Sequence, residues 1–128
     1  MKKILTIIGA RPQFIKAAPM SNAIRKSSVL EEVIVHTGQH FDSNMSSIFF
    51  DQLGLKKPDY MLDINGLTHG AMTGRMMEEI EDIVLKEKPD FILVFGDTNS
   101  TLAGALVAKK LHVKLVHVEA GLRSFDMK

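Results

Sequence analysis

Residues Phe91 to Arg123 read FILVFGDTNSTLAGALVAKKLHVKLVHVEAGLR, and this stretch decides the fold. An apolar run, Phe91 to Phe95, stops at Gly96-Asp97. A helical segment rich in Ala and Leu follows, and a second apolar run, Lys114 to Val118, stops at Glu119. The pattern is strand, helix, strand. Two such strands in one sheet lie parallel, and a right-handed crossover lays the helix on one face. Ligands of open parallel sheets bind outside the carboxyl ends of the strands. Asp97 and Glu119, far apart in the chain, are therefore expected on one rim of one crevice.

The upstream chain repeats the unit. Ile4 to Ile8 is a short apolar run of the kind found in strands buried on both faces, and it ends at Gly9. Gly9-Ala10-Arg11-Pro12 is a turn, and Pro12 suits the first position of a helix running to about Lys26, with Pro19 as an interruption. Val33 to His36 is a second strand, closed by Thr37-Gly38-Gln39-His40. Asp42 or Ser43 is expected to cap a helix ending at Gly54, and Tyr60-Met61-Leu62 makes at most a short edge strand. Thr68 opens a long helix to about Lys88. Met72, Met76, Ile80, Ile83 and Val84 form its apolar stripe, with Glu78, Glu79, Glu81 and Asp82 on the solvated side. Methionines at that spacing read as core packing, not as ligands. The sum is an α/β, doubly wound parallel sheet of Rossmann-like type, with strand order 3-2-1-4-5. No helix follows the Lys114 to Val118 strand, so its edge is expected to lie bare or to be covered by something else.

Composition narrows the function classes. The chain has 128 residues, enough for one domain core; Lys plus Arg number 16 against 15 Asp plus Glu. That balance gives no broad basic face, so nucleic acid and acidic lipid are not expected partners. Cys is absent, which rules out a disulfide framework and thiolate chemistry within this sequence. The run Ile4 to Gly9 is short for a signal-peptide core and nothing reaches membrane-spanning length, which reads as a soluble, cytoplasmic protein.

Several residues are candidates for chemistry. Arg11 and the helix N-terminus beside it offer an anion site, although one glycine makes neither a dinucleotide fingerprint nor a Walker A loop. The alternative is that Arg11 holds the turn through a carboxylate. Asp97 has a plain reading as the cap of the next helix. Glu119, between a buried strand and a glycine turn, points to the crevice. Two carboxylates ~6 Å apart repel by about 3 kcal/mol at an effective dielectric near 20, or about two pKa units. One then stays protonated while the other ionises, which is what proton transfer at carbon requires. His112 reads as surface, and His36 and His117 as structural residues within strands. His40 stands at a strand end. No spacing of histidines and carboxylates makes a metal site.

The ordered set Gly9-Ala10-Arg11-Pro12, Thr37-Gly38-Gln39-His40, Gly96-Asp97-Thr98 and His117-Val118-Glu119-Ala120-Gly121-Leu122-Arg123 resembles the UDP-N-acetylglucosamine 2-epimerases of the non-hydrolysing type, in their N-terminal part. The resemblance implies the N-terminal half of a glycosyltransferase-B-type two-domain fold. Residues 1–128 would be an incomplete Rossmann-like domain, with the second nucleotide-binding domain absent from this chain. It implies interconversion of UDP-GlcNAc and UDP-ManNAc without metal or other cofactor, by elimination and re-addition of UDP at C1 with proton exchange at C2. It further implies a role in cell-envelope polysaccharide biosynthesis. Asp97 and Glu119 would be the acid/base pair, Arg11 a phosphate contact, Arg123 a support for the loop or nucleotide, and Gln39 and His40 substrate-binding. A UDP-sugar is the implied ligand, and a homo-oligomer or second-domain partner the implied cover for the C-terminal strand.

The likeness thins in places. Only the first third of the family pattern is present, so the chain is expected to be inactive alone. Some members carry an allosteric UDP-GlcNAc site that uses the Gln-His pair and an arginine where this chain has Asn65-Gly66. Asp42 also replaces a usual glutamine, which argues against that regulation here. The Thr37 to Asp42 variant also occurs in relatives acting on UDP-2,3-diacetamido-uronic acids. Two other readings stand beside the first: half of a glycosyltransferase-B enzyme, and a non-catalytic α/β module needing a partner chain.

Overall fold

A computed structural model describes residues 2–9, 11–38, 54, 57–96, 98–119 and 122–124, and the structural statements below concern these. Strand β1 (Lys2–Ile8) leads to helix α1 (Arg11–Lys26) and strand β2 (Leu30–His36). The short β3 (Tyr60–Met61) precedes α2 (His69–Glu87), β4 (Phe91–Phe95), α3 (Asn99–Lys110), β5 (Lys114–Glu119) and β6 (Leu122–Ser124). The helix expected between Asp42 and Gly54 lies outside the described residues.

The sheet runs β3-β2-β1-β4-β5-β6, so the expected order 3-2-1-4-5 holds and a sixth strand is added. All pairs are parallel except β5 with β6, where Val118 faces Arg123 and Glu119 faces Leu122 in antiparallel register. The expectation of a bare edge after Val118 is corrected here: the chain turns back and pairs with β5 itself. A three-residue strand carries no periodic signal of its own, so only the pairing reveals it.

Both faces of the sheet are buried because the strands are apolar at successive positions. Leu5, Ile7, Val33, Val35, Ile92 and Val94 meet α2 and α3 on one face. Met72, Met76, Ile80, Ile83 and Val84 are the buried residues of α2, matching the stripe read from the sequence, and the acidic residues opposite are exposed. Gly104 lets α3 approach the sheet closely: a Cβ there would stand 2.9 Å from both Ile7 Cδ1 and Val94 Cγ1. On the other face Ile8, Ile34, Leu93 and Phe95 pack against α1 through Ala17. Pro19 lies inside α1 on an exposed position, and the helix continues past it.

That second face also buries a carboxylate. Glu32 accepts hydrogen bonds from Thr6 Oγ1 at 2.5 Å and from the Ser21 hydroxyl of α1. A buried carboxylate without such partners would be strongly destabilising, so the two hydroxyls account for its presence.

Candidate functional site

Parallel strands with antiparallel helices bring the ends of β1 to β5 and the helix starts to one rim, where β6 begins. Among the described residues, the β4–α3 turn is held by several hydrogen bonds. Phe95 stands opposite Val118 in the β4–β5 register, which sets Gly96 level with Glu119 on strands about 4.8 Å apart. Gly96, at φ +72°, donates its amide to the Val118 carbonyl at 2.9 Å, and its own carbonyl accepts from His117 Nε2. A positive φ is the reason glycine stands here. Thr101 Oγ1 donates to the Phe95 carbonyl at 2.6 Å and accepts the Thr98 amide at 3.2 Å. The peptide groups on either side of residue 97 are thus held from both neighbours.

Thr98 is the N-cap of α3, in an extended conformation, with Thr101 as its capping partner. This corrects the reading of Asp97 as the cap, because the helix begins one residue later. The T-x-x-T spacing was the available signal: a threonine at the third helical position can accept the cap's amide much as a Glu or Gln does.

The β2 end is held in the same way. Thr37 donates its amide to the Ile8 carbonyl at 3.0 Å, and its hydroxyl meets Ser100 Oγ of α3 at 2.7 Å. His36, 1% exposed, accepts the Gly38 amide on Nδ1 at 2.9 Å. Burial pushes its pKa down to about 4, so it is neutral at physiological pH, with the proton on Nε2. Gly38 has φ +84°, and a Cβ on it would fall 2.7 Å from Asp63 Cα, so backbone meets backbone there. The α2 start adds Thr68, whose side chain accepts from the Ala71 amide at 3.2 Å. His69 meets Asn99 across the two helix N-termini at 2.9 Å.

The expected site residues distribute as follows. Arg11 opens α1, Glu119 closes β5 and Arg123 lies in β6, all by their backbones; their side-chain placement is outside the described part. Gln39, His40 and Asp97 are themselves outside the described residues, although Gly38, Gly96 and Thr98 beside them are described. The backbone therefore brings the segments ending at 96 and 119 to adjoining strand ends, with the start of α1 at the same rim. His36 and His117 are hydrogen-bonded structural residues, as read, and His112 is exposed in the α3–β5 turn. Sequence reasoning passed over Ser100 and Thr101, and gave no role of its own to Thr37 or Asn99. Among the described residues, no group of three or more His, Cys, Asp or Glu could hold a metal ion, and no helix is long and apolar enough to cross a membrane.

Two hollows lie away from this rim. One, about 520 Å³, opens beside Lys2, Ser28, Val29 and Asp90 at the opposite end of the sheet. The other, about 300 Å³, runs between α2 and α3 past Met77 and Val107. Glu78, Glu81 and Lys110 also line the second, but neither hollow lies at the carboxyl ends of the strands.

The profile of the family described as UDP-N-acetylglucosamine 2-epimerase matches residues 22–128. The chain belongs to that family. It is 71% identical over 98% of its length to a Pseudomonas aeruginosa UDP-2,3-diacetamido-2,3-dideoxy-D-glucuronate 2-epimerase, of which it covers 36%. It superposes with a TM-score of 0.86 on a crystal structure of the Methanocaldococcus jannaschii UDP-GlcNAc 2-epimerase in complex with UDP-GlcNAc and UDP. That match is 52% identical, covering 97% of this chain and 34% of the other. The chain thus spans about a third of the length of these relatives. A Streptomyces glycosyltransferase complexed with thymidine diphosphate, 19% identical over 93% of this chain and 38% of its own, has a TM-score of 0.67 and shares the fold alone.

Proposed function

We propose that this chain supplies the N-terminal, C2-facing half of the active site of a UDP-N-acetylglucosamine 2-epimerase. The observation that carries the reading is the β4–β5 register, which brings the strand ends leading to Asp97 and to Glu119 side by side. In the reaction, one carboxylate removes the C2 proton while the C1–O bond to UDP breaks, leaving a C1=C2 double bond in 2-acetamidoglucal. UDP oxygen then adds back to C1, and a proton is delivered to the other face of C2. Asp97 and Glu119 share the acid and base roles. No net oxidation occurs at C2, so the balance needs no electron carrier. Arg11 and the start of α1 favour the diphosphate, whose departing charge such donors stabilise. Gln39, His40 and Arg123 complete the contacts on this side. A second nucleotide-binding domain, in this reading, supplies the uridine contacts. The same reading puts the enzyme in the cytoplasm as a homo-oligomer, with its product directed to cell-envelope polysaccharide.

A second substrate is favoured by one observation, the 71% identity to the diacetamido-glucuronate 2-epimerase. The C2 chemistry is unchanged, and the candidates differ at C3 and C6 of the sugar. The experiment that tests both is deuterium incorporation at C2 in heavy water. It uses each UDP-sugar in turn, with this chain joined to the part of the P. aeruginosa relative beyond its match. Exchange and epimerisation that are lost in Asp97→Asn or Glu119→Gln support the reading. Epimerisation without C2 exchange would refute it, and relative kcat/KM assigns the substrate.

A further inference from the structure

We propose that His117 is a positioning residue that sets the orientation of the Gly96–Asp97 peptide. The inference rests on the reading of Asp97 as one of the acid/base pair and goes beyond it, because His117 touches neither sugar nor phosphate in that reading. His117 lies on β5 opposite Val94, two residues before Glu119, and is half-buried. Its Nε2 hydrogen bonds the Gly96 carbonyl, 21 residues away in sequence. A carbonyl only accepts, so Nε2 carries the proton in this contact.

The geometry gives this bond a particular consequence. The Gly96 carbonyl belongs to the peptide group whose nitrogen is that of Asp97, so the direction of this carbonyl fixes the plane from which residue 97 departs. Gly96 has φ +72° and no Cβ, so no side chain restrains its ψ. The Gly96 amide is tied to Val118, the Phe95 carbonyl to Thr101 and the Thr98 amide to Thr101. The imidazole is the tie on the Gly96 oxygen that stands between them. Since His117 and Glu119 share one strand, the same element that presents one carboxylate also aims the segment bearing the other. Misplacement by about 1 Å at a reacting group costs on the order of 100-fold in rate, so this tie bears on the chemical step.

The test compares His117→Phe, which keeps the ring but lacks the donor, with His117→Gln, whose amide nitrogen reaches the same place. In the 128-residue chain, ¹⁵N spectra should show His117 in the Nε2–H form. His117→Phe should speed amide hydrogen exchange at Thr98 at least 10-fold, while the Leu5 and Ile92 amides exchange as before. In the active enzyme joined as above, His117→Phe should lower kcat 10- to 100-fold with KM within about 3-fold, and His117→Gln should recover most of the loss. Unchanged exchange at Thr98, or equal kcat in the Phe and wild-type proteins, overturns the inference. Equal losses in the Phe and Gln variants also overturn it. Asp97→Asn is run alongside: if that variant stays active, the acid/base reading has failed; if it is dead while His117→Phe is not, the positioning role alone has failed.

Discussion

The two ends of the sheet use polar groups for different purposes. At the amino ends of the strands, side-chain pairs gather around Glu87, beside ties to the main chain from Asp90 and Lys3. Lys3 Nζ meets Glu87 at 3.1 Å, the Tyr60 hydroxyl donates to the same carboxylate, and Lys86 stands over the Tyr60 ring. These contacts pull the Glu87 carboxyl below its usual pKa, the Tyr60 hydrogen bond first and Lys3 next, and raise that of Tyr60. At the carboxyl ends, polar side chains hold the main chain: His36 the Gly38 amide, His117 the Gly96 carbonyl, Thr101 the Phe95 carbonyl. Surface ion pairs stabilise weakly and tolerate movement. Side chains spent on backbone groups fix where the next residues begin, which is what the proposed catalytic rim needs. The amino end holds the domain together, whereas the carboxyl end aims it.

The sharpest way to break this contrast is to separate activity from stability. In the completed enzyme, Asp97→Asn and Glu119→Gln should each lower kcat by about 10²- to 10⁴-fold, measured by C2 exchange, with little change in Tm. A large fall in Tm with activity retained would move both residues to the structural side. Next comes acid. His36 has a folded pKa of about 4 against about 6.5 unfolded, so the unfolded chain binds the proton more readily. Its contribution is complete above about pH 6.5 and is lost as pH falls toward 4, a difference of about 3 kcal/mol. Urea unfolding between pH 7 and 4 should show that slope, and the slope should flatten in His36→Gln.

The amino end should answer more quietly. Asp90 Oδ2 accepts the Lys3 amide at 2.8 Å, tying the start of β4 to β1, and Asp90→Ala should cost about 1 kcal/mol in urea unfolding. Glu87→Gln should cost less than about 1 kcal/mol, and neither change should alter kcat in the completed enzyme. A rate effect from either would erase the distinction between the two ends.

Much of the architecture was legible because it is periodic. The apolar strands and the five buried residues of α2 follow from spacing along the chain, and the strand order from the doubly wound class that their alternation indicates. What was not legible depends on partners far off in sequence. Glu32 looks like any strand carboxylate until Thr6 and Ser21 are seen around it. The tie from His117 to Gly96 joins positions with no shared pattern, and β6 is defined by its neighbour. Of the candidate site, the segments were legible from strand ends and motif, because a strand stopping at Gly-Asp or before Glu-Ala-Gly announces its own end. The cap of α3 was misread by one residue, since aspartate is the more favoured of two adjacent residues that can both cap a helix.

One consequence of the strand order concerns birth rather than function. Strand β1 is the middle of the sheet, yet its neighbour β4 is encoded some 87 residues later, the separation of Lys3 from Asp90. At a synthesis rate of about 5–20 residues per second, β1 waits roughly 4–17 s with one hydrogen-bonding flank unsatisfied. During that interval the nascent polypeptide presents Leu5 and Ile7 as sticky surface, making the ribosome-bound stage the time when chaperone capture matters most.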